Sequence, residues 1–87
     1  MMLTNSVIYE GFSKNAENKD GLFCFTVERE NEKGEKVSFP VLCSEYAKQN
    51  AEIRMKEGGK VRVIGSLERA GADAFIFADV IFFAGEE

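Results

Sequence analysis

The chain contains no histidine and no tryptophan, and it has one proline and two cysteines in 87 residues. Each shortage excludes a class of function. Without histidine, the commonest general base and the commonest transition-metal ligand are missing. Cys24 and Cys43 form no CxxC motif and have no further cysteine to join, so no disulfide framework is expected, and at most an incomplete soft metal site. They read as small buried apolar residues, which suits a reducing cytoplasm. The opening "MMLTNSVIYE" lacks the basic start and apolar core of a signal peptide. No apolar run reaches the ~20 residues of a membrane-spanning helix. The expectation is therefore no catalytic residue, no metal, no cofactor and no membrane partner.

What is present is a composition that folds: 45% of residues are hydrophobic. One domain over residues 1–87 is expected, with no acidic tail after "AGEE". The net charge of -4 argues, on a simple reading, against nucleic acid, because phosphate neutralisation dominates such affinity. Net charge is not local charge, however, and an acidic domain can carry one basic groove.

Period-two alternation marks most of the chain as strand. "NSVIYEGF" (Asn5–Phe12) is the first candidate, and the polar "SKNAENKD" (Ser13–Asp20) reads as a loop. In "GLFCFTVERE", Phe23, Phe25 and Val27 share a face. "NEKGEK" (Asn31–Lys36) reads as a hairpin turn. "VSFPVLC" places Val37, Phe39, Val41 and Cys43 on one face, with Pro40 marking an edge or bulged position. The period then changes. Ser44 is placed to cap a helix within Glu45–Lys56, Ala47, Ala51 and Met55 recur at spacing four, and Gly58 and Gly59 stand at its end. "KVRVIGSLER" is the next strand, where Gly65 suggests a bend or bulge. "AFIFADVIFFA" closes the chain. Val7, Phe25, Val27, Phe39, Val41, Val61, Val63 and Leu67 are the expected core. The order is three strands, a short helix, two strands. It matches an all-β, five-stranded OB barrel with one α-helix between strands 3 and 4, an arrangement that commonly binds single-stranded nucleic acid.

Three stretches resemble bacterial single-stranded DNA-binding proteins. "NSVIYEG" is similar to the family's opening strand, "MKEGGKVRVIGSL" to the segment after its helix, and "ADVIFFAG" to its closing strand. "MLTNSVIYEG" and "FCFTVEREN" also resemble primosomal replication protein N-like members. The resemblance implies the OB barrel, binding of single-stranded DNA in replication, repair or mobile-element transfer, and a homo-oligomer, at least a dimer. The sequence departs from the family on its ligand face. Ser38 and Ser44 stand where the family carries aromatics, "RAGADA" is too short for its stacking loop, and Arg69 comes one residue early.

The candidate nucleic-acid-binding residues are Phe12, Lys33, Lys36, Tyr46, Lys60 and Arg62. Phe12 and Tyr46 are aromatics not obviously consumed by the core, free either to stack on a base or to pack at a barrel end or subunit interface. The four cations lie beside the hairpin between strands 2 and 3 or alternate along strand 4, where phosphate contact competes with ordinary solvated charge. Two functions remain: a single-stranded DNA binder, with RNA also open to such a barrel, and an OB module of protein assembly that has lost nucleic-acid binding. One feature favours self-association in either case. "FIFADVIFFAG" is apolar on both faces, so either Phe75, Phe77, Ile81 and Phe83 or Ile76, Ala78, Val80 and Phe82 fill the barrel, and the remaining set needs another cover.

Overall fold

A computed structural model describes residues 5–84. The elements are β1 (Val7–Lys19), β2 (Leu22–Glu30), β3 (Lys36–Cys43), α1 (Glu45–Arg54), β4 (Lys60–Ala70) and β5 (Asp73–Phe83). The strands close into a barrel in the order β1-β2-β3-β5-β4, with β4 pairing back onto β1. All pairings are antiparallel except β3 with β5. This is the expected OB arrangement. Among the described residues no helix is long and apolar enough to cross a membrane.

The core is built from the inward positions of each strand. Phe23, Phe25, Val27, Val41, Cys43, Val61, Val63, Ile76, Ala78, Ile81 and Phe83 are buried, and Ala47 and Ala51 of α1 pack onto them. Ser44 caps the helix, its hydroxyl accepting from the Ala47 N–H at 3.2 Å. Val7 and Phe39 are only partly buried against this core. Pro40 stands where β3 pairs with β2 alone, because the β5 pairing begins at Val41, so its missing N–H leaves no gap between two neighbours.

Four expectations are corrected. Ser13–Asp20 is not a loop: residues 13–19 are the second half of β1, and Asp20 begins the turn that follows. Asp20 (φ 54°) and Gly21 (φ 81°) form a two-residue hairpin turn between Lys19 and Leu22, the geometry that an Asp-Gly pair favours. A bulge at Asn15–Ala16, with Asn15 at φ 55°, bends the strand on the way. Second, α1 lies within Glu45–Lys56 as expected, but Met55 and not the glycine pair caps its end, and Gly58 (φ 79°) serves the turn that follows. Third, Leu67 is 44% exposed. It lies on the inward side opposite Ile76, but β1 accompanies β4 only as far as Gly65, so the hairpin has left the barrel.

The fourth correction concerns β5. Neither of its two alternating sets fills the barrel. Ile64 pairs with Val80 and Gly65 with Ala78, leaving Asp79 as an extra residue. The bulge flips the phase, so Ile76 and Ala78 point inward before it and Ile81 and Phe83 after it. Gly65 permits this, because a Cβ there would overlap the Phe77 carbonyl. Cys24 also departs from expectation: it is half-buried rather than buried, on the outer side of β2.

Candidate nucleic-acid interface

Phe12 lies where β1 has a strand on each side, opposite Glu28 of β2 and Lys60 of β4. Glu28 in turn faces Ser38 of β3. Ser38, Glu28, Phe12 and Lys60 therefore form one outward row across four strands. The aromatic ring missing from position 38 is matched by a ring two strands away, at position 12. Phe12 is exposed, and it lines a cleft of about 360 Å³ with Lys14, Glu28, Arg29, Glu30, Lys36 and Gly58. Three cations and two carboxylates share that cleft. The Lys36 ammonium stands 3.7 Å from Glu28 in a solvent-exposed pair, which is worth little and leaves the cation free to exchange partners.

Lys60 leads from Phe12 to a second cleft, of about 470 Å³, shared with Arg54, Lys56, Gly59 and Phe83. Ser13 holds the turn between them. Its side chain is buried (1% exposed) and its hydroxyl donates to the Lys56 carbonyl at 2.8 Å. Its backbone N–H donates to the Gly59 carbonyl at 2.8 Å, and its carbonyl accepts from the Gly58 N–H at 2.6 Å. A buried hydroxyl satisfied in this way fixes Lys56 and Lys60 relative to β1.

The other candidates lie elsewhere. Lys33 is in the β2–β3 turn, lining a cleft of about 490 Å³ with Tyr9, Arg29, Asn31, Glu32, Glu35 and Val37. Arg62 points outward on β4 and pairs with Glu10 of β1, Nε to Oε2 at 3.4 Å. Tyr46, in the first turn of α1, is exposed beside Val80 and Phe82. Phe12, Lys36 and Lys60 are thus brought together, and Lys33, Arg62 and Tyr46 are not. Lys14 and Lys56 join the site without having been singled out. Lys14 was hidden by the loop reading of Ser13–Asp20; taken as strand, it alternates onto the same face as Phe12.

Among the described residues no three His, Cys, Asp or Glu side chains gather to hold a metal. The Cys43 thiol is pushed up to about 12, first by burial and then by neighbouring Cys24, which makes it a core residue rather than a nucleophile.

No protein-family model matches the sequence, and neither does any curated protein sequence. Solved structures match over almost the whole chain. The N-terminal domain of PriB from Thermoanaerobacter tencongensis, solved as a dimer, superposes with a TM-score of 0.76 at 21% identity, over 94% of this chain and 98% of that one. A small single-stranded DNA-binding protein from Mycoplasma pneumoniae gives 0.77 at 16% identity, over 98% and 99%. The second single-stranded DNA-binding protein of Mycobacterium smegmatis gives 0.79 at 16% identity, over 94% and 90%. The fold of this chain is the OB barrel of these bacterial proteins.

Proposed function

We propose that this protein binds single-stranded DNA without catalysing a reaction, using the outer face of β1, β2 and β3 and the start of β4. One observation carries the reading: the exposed Phe12 ring has Lys60 beside it on β4 and shares its cleft with Lys14 and Lys36. An aromatic platform stacks on a base, and cations on both sides take the phosphates that flank it. Two of the structural relatives bear single-strand DNA binding in their names, which supports the same reading. Replication, repair or mobile-element transfer in the cytoplasm is the setting that such binding fits.

Arg62 and Tyr46 are assigned a different role. The outer side of β1, β4 and β5 presents Ile8, Ile64 and Val80 in one row and Glu10, Arg62 and Phe82 in the next. Tyr46 borders Val80 and Phe82. This mainly apolar face supports a homodimer in which it is covered by a second copy, and the similar PriB domain was itself solved as a dimer.

Fluorescence titration of labelled oligo(dT) at low and high salt tests the proposal. We expect binding at low salt that weakens as salt rises. Charge reversal of Lys36 with Lys60 should weaken it further and flatten the salt slope. Equal affinity for oligo(rU) would extend the ligand to RNA. No binding at low salt with protein at tens of micromolar would leave an assembly role.

A further inference from the structure

The hairpin formed by β2 and β3 has two sides, and the proposed DNA face uses only one of them. On the other side, Arg29 lies over the Tyr9 ring with its guanidinium carbon 5.6 Å from the ring centre. Tyr9 is held from below by Phe39, whose ring centre is 5.8 Å away. Val37 stands opposite Arg29 across the ladder. Tyr9, Arg29 and Val37, together with Lys33 of the turn, line the cleft of about 490 Å³, a size that accommodates a small ligand.

The turn that frames this cleft is closed by its own hydrogen bonds. The Asn31 side-chain oxygen accepts from the backbone N–H groups of Lys33 and Glu35 at 2.9 and 3.0 Å. Its amide donates to Glu35 Oε1 at 3.1 Å, and Gly34 adopts φ 80°. The Lys33 side chain is therefore presented from a hydrogen-bonded turn. Arg29 lines both this cleft and the Phe12 cleft, so the two are continuous around the hairpin.

We propose that the β2–β3 hairpin is a two-sided clamp: a single strand long enough to pass the Phe12 cleft turns around it and places a second nucleotide on the Tyr9–Arg29 stack, with Lys33 on the following phosphate. This rests on the DNA-binding reading above. A guanidinium held over a ring leaves planar surface on which a base can stack, and such stacking is tolerant of sequence. Glu32 and Glu35 at the same rim disfavour occupation by phosphate alone. The cleft should therefore fill only when the strand is already anchored at Phe12, and strand length is the variable that reveals it.

The test exploits composition. Tyr9 and Tyr46 are the two tyrosines and there is no tryptophan, so in a Tyr46→Phe protein Tyr9 is the sole strong emitter. Binding is followed separately by the anisotropy of labelled oligo(dT) of about four and about sixteen nucleotides. We expect both lengths to bind, but only the longer to quench Tyr9. Adding Lys33→Glu, at an exposed turn position, should abolish the quenching and weaken the longer oligonucleotide about tenfold while sparing the shorter. If the longer strand binds by anisotropy with Tyr9 emission unchanged, or if the shorter strand quenches equally, the clamp is wrong although DNA binding stands. If neither length binds, both proposals fall together.

Discussion

The carboxamide of Asn5 completes the ladder that β1 leaves unfinished beside Leu67. Its Nδ2 donates to the Leu67 carbonyl at 2.8 Å and its Oδ1 accepts from the Leu67 N–H at 3.2 Å. A side chain thus takes the place of a strand residue just beyond the last backbone pair, Val7 with Gly65. Asn5→Ala removes both bonds. Because the site is exposed and water replaces the partners, the expected loss is about 1 kcal/mol. Hydrogen exchange at the Leu67 amide should accelerate while that of Val63 stays protected, and unchanged exchange at Leu67 would refute the assignment.

Gly65 carries the bulge that re-phases β5. Gly65→Ala puts a methyl into the Phe77 carbonyl, where only backbone can yield. Overpacking of this kind costs roughly 1–3 kcal/mol or more. Deleting Asp79 instead removes the extra residue and leaves Ile76, Ala78, Ile81 and Phe83 at period two on one face, so the inward set is kept and only the local bend of the bulge is lost. Denaturant melts should show Gly65→Ala less stable than the parent, with the deletion the milder of the two. A deletion more destabilised than Gly65→Ala would mean that the bend at the bulge, and not the inward phase alone, is what the barrel needs.

Cys43 makes stability depend on alkaline pH. Its pKa is raised from 9.0 to about 12 in the fold. Below about pH 9 both folded and unfolded chains hold the proton and the contribution is complete. As pH rises from there toward 12, the unfolded chain gives up its proton while the folded one keeps it, and stability falls by up to roughly 1 kcal/mol per pH unit. The comparison is with Cys43→Ala, so that only the contribution of this thiol is read. The parent's excess stability over that variant, read from urea melts at pH 8 and pH 10.5, should shrink at the higher pH. A constant difference would contradict it.

Phe12→Ala isolates stacking from charge. The ring is half-exposed, so the fold should lose little, whereas a base platform is worth about 1–3 kcal/mol. Affinity for oligo(dT) should drop by about five- to a hundredfold with the salt slope unchanged, since no phosphate contact is lost. A change in slope without a drop in low-salt affinity would place Phe12 outside the interface.

The sequence and the structure agree where periodicity is local. Phe23, Phe25 and Val27, the Ser44 cap and the Gly65 irregularity all follow from neighbours a few residues apart. Disagreement comes where a single residue changes phase or where distant segments meet. The polar stretch after Phe12 suggested solvent, although Asp20-Gly21 was a readable hairpin signal that turns it into strand. Asp79 looked like one charge in an apolar run, and its role as a bulge depends on what lies opposite it in β4. The site divides the same way. Residue types named Phe12, Lys36 and Lys60, but only register places Phe12 beside Lys60 and gives Arg62 to Glu10. Those pairings span about fifty residues, beyond the reach of any local pattern.

The bulge also decides what the outer side of β5 needs. After it, Val80 and Phe82 face outward beside Ile64, with Ile8 completing the row on β1. Ile8 is 67% exposed and Phe82 45%. Fully burying each large side chain contributes about 1.5–3 kcal/mol, which is ample to drive association once several are covered together. The helix does not supply that cover: Tyr46 borders the patch and is itself exposed. The Glu10–Arg62 pair sits within the face and is able to exchange partners across a two-fold axis, so a symmetric contact loses no ion pair. We therefore expect sedimentation at micromolar concentration to give a dimer of the 9.7 kDa chain. Phe82→Glu or Ile8→Glu should convert it to a folded monomer, because both side chains point to solvent and neither belongs to the core. Lys36→Glu, on the opposite side of the barrel wall, should leave the dimer intact. A parent that sediments as a monomer, or a Phe82→Glu variant that stays dimeric, would show that this face is not where two copies meet.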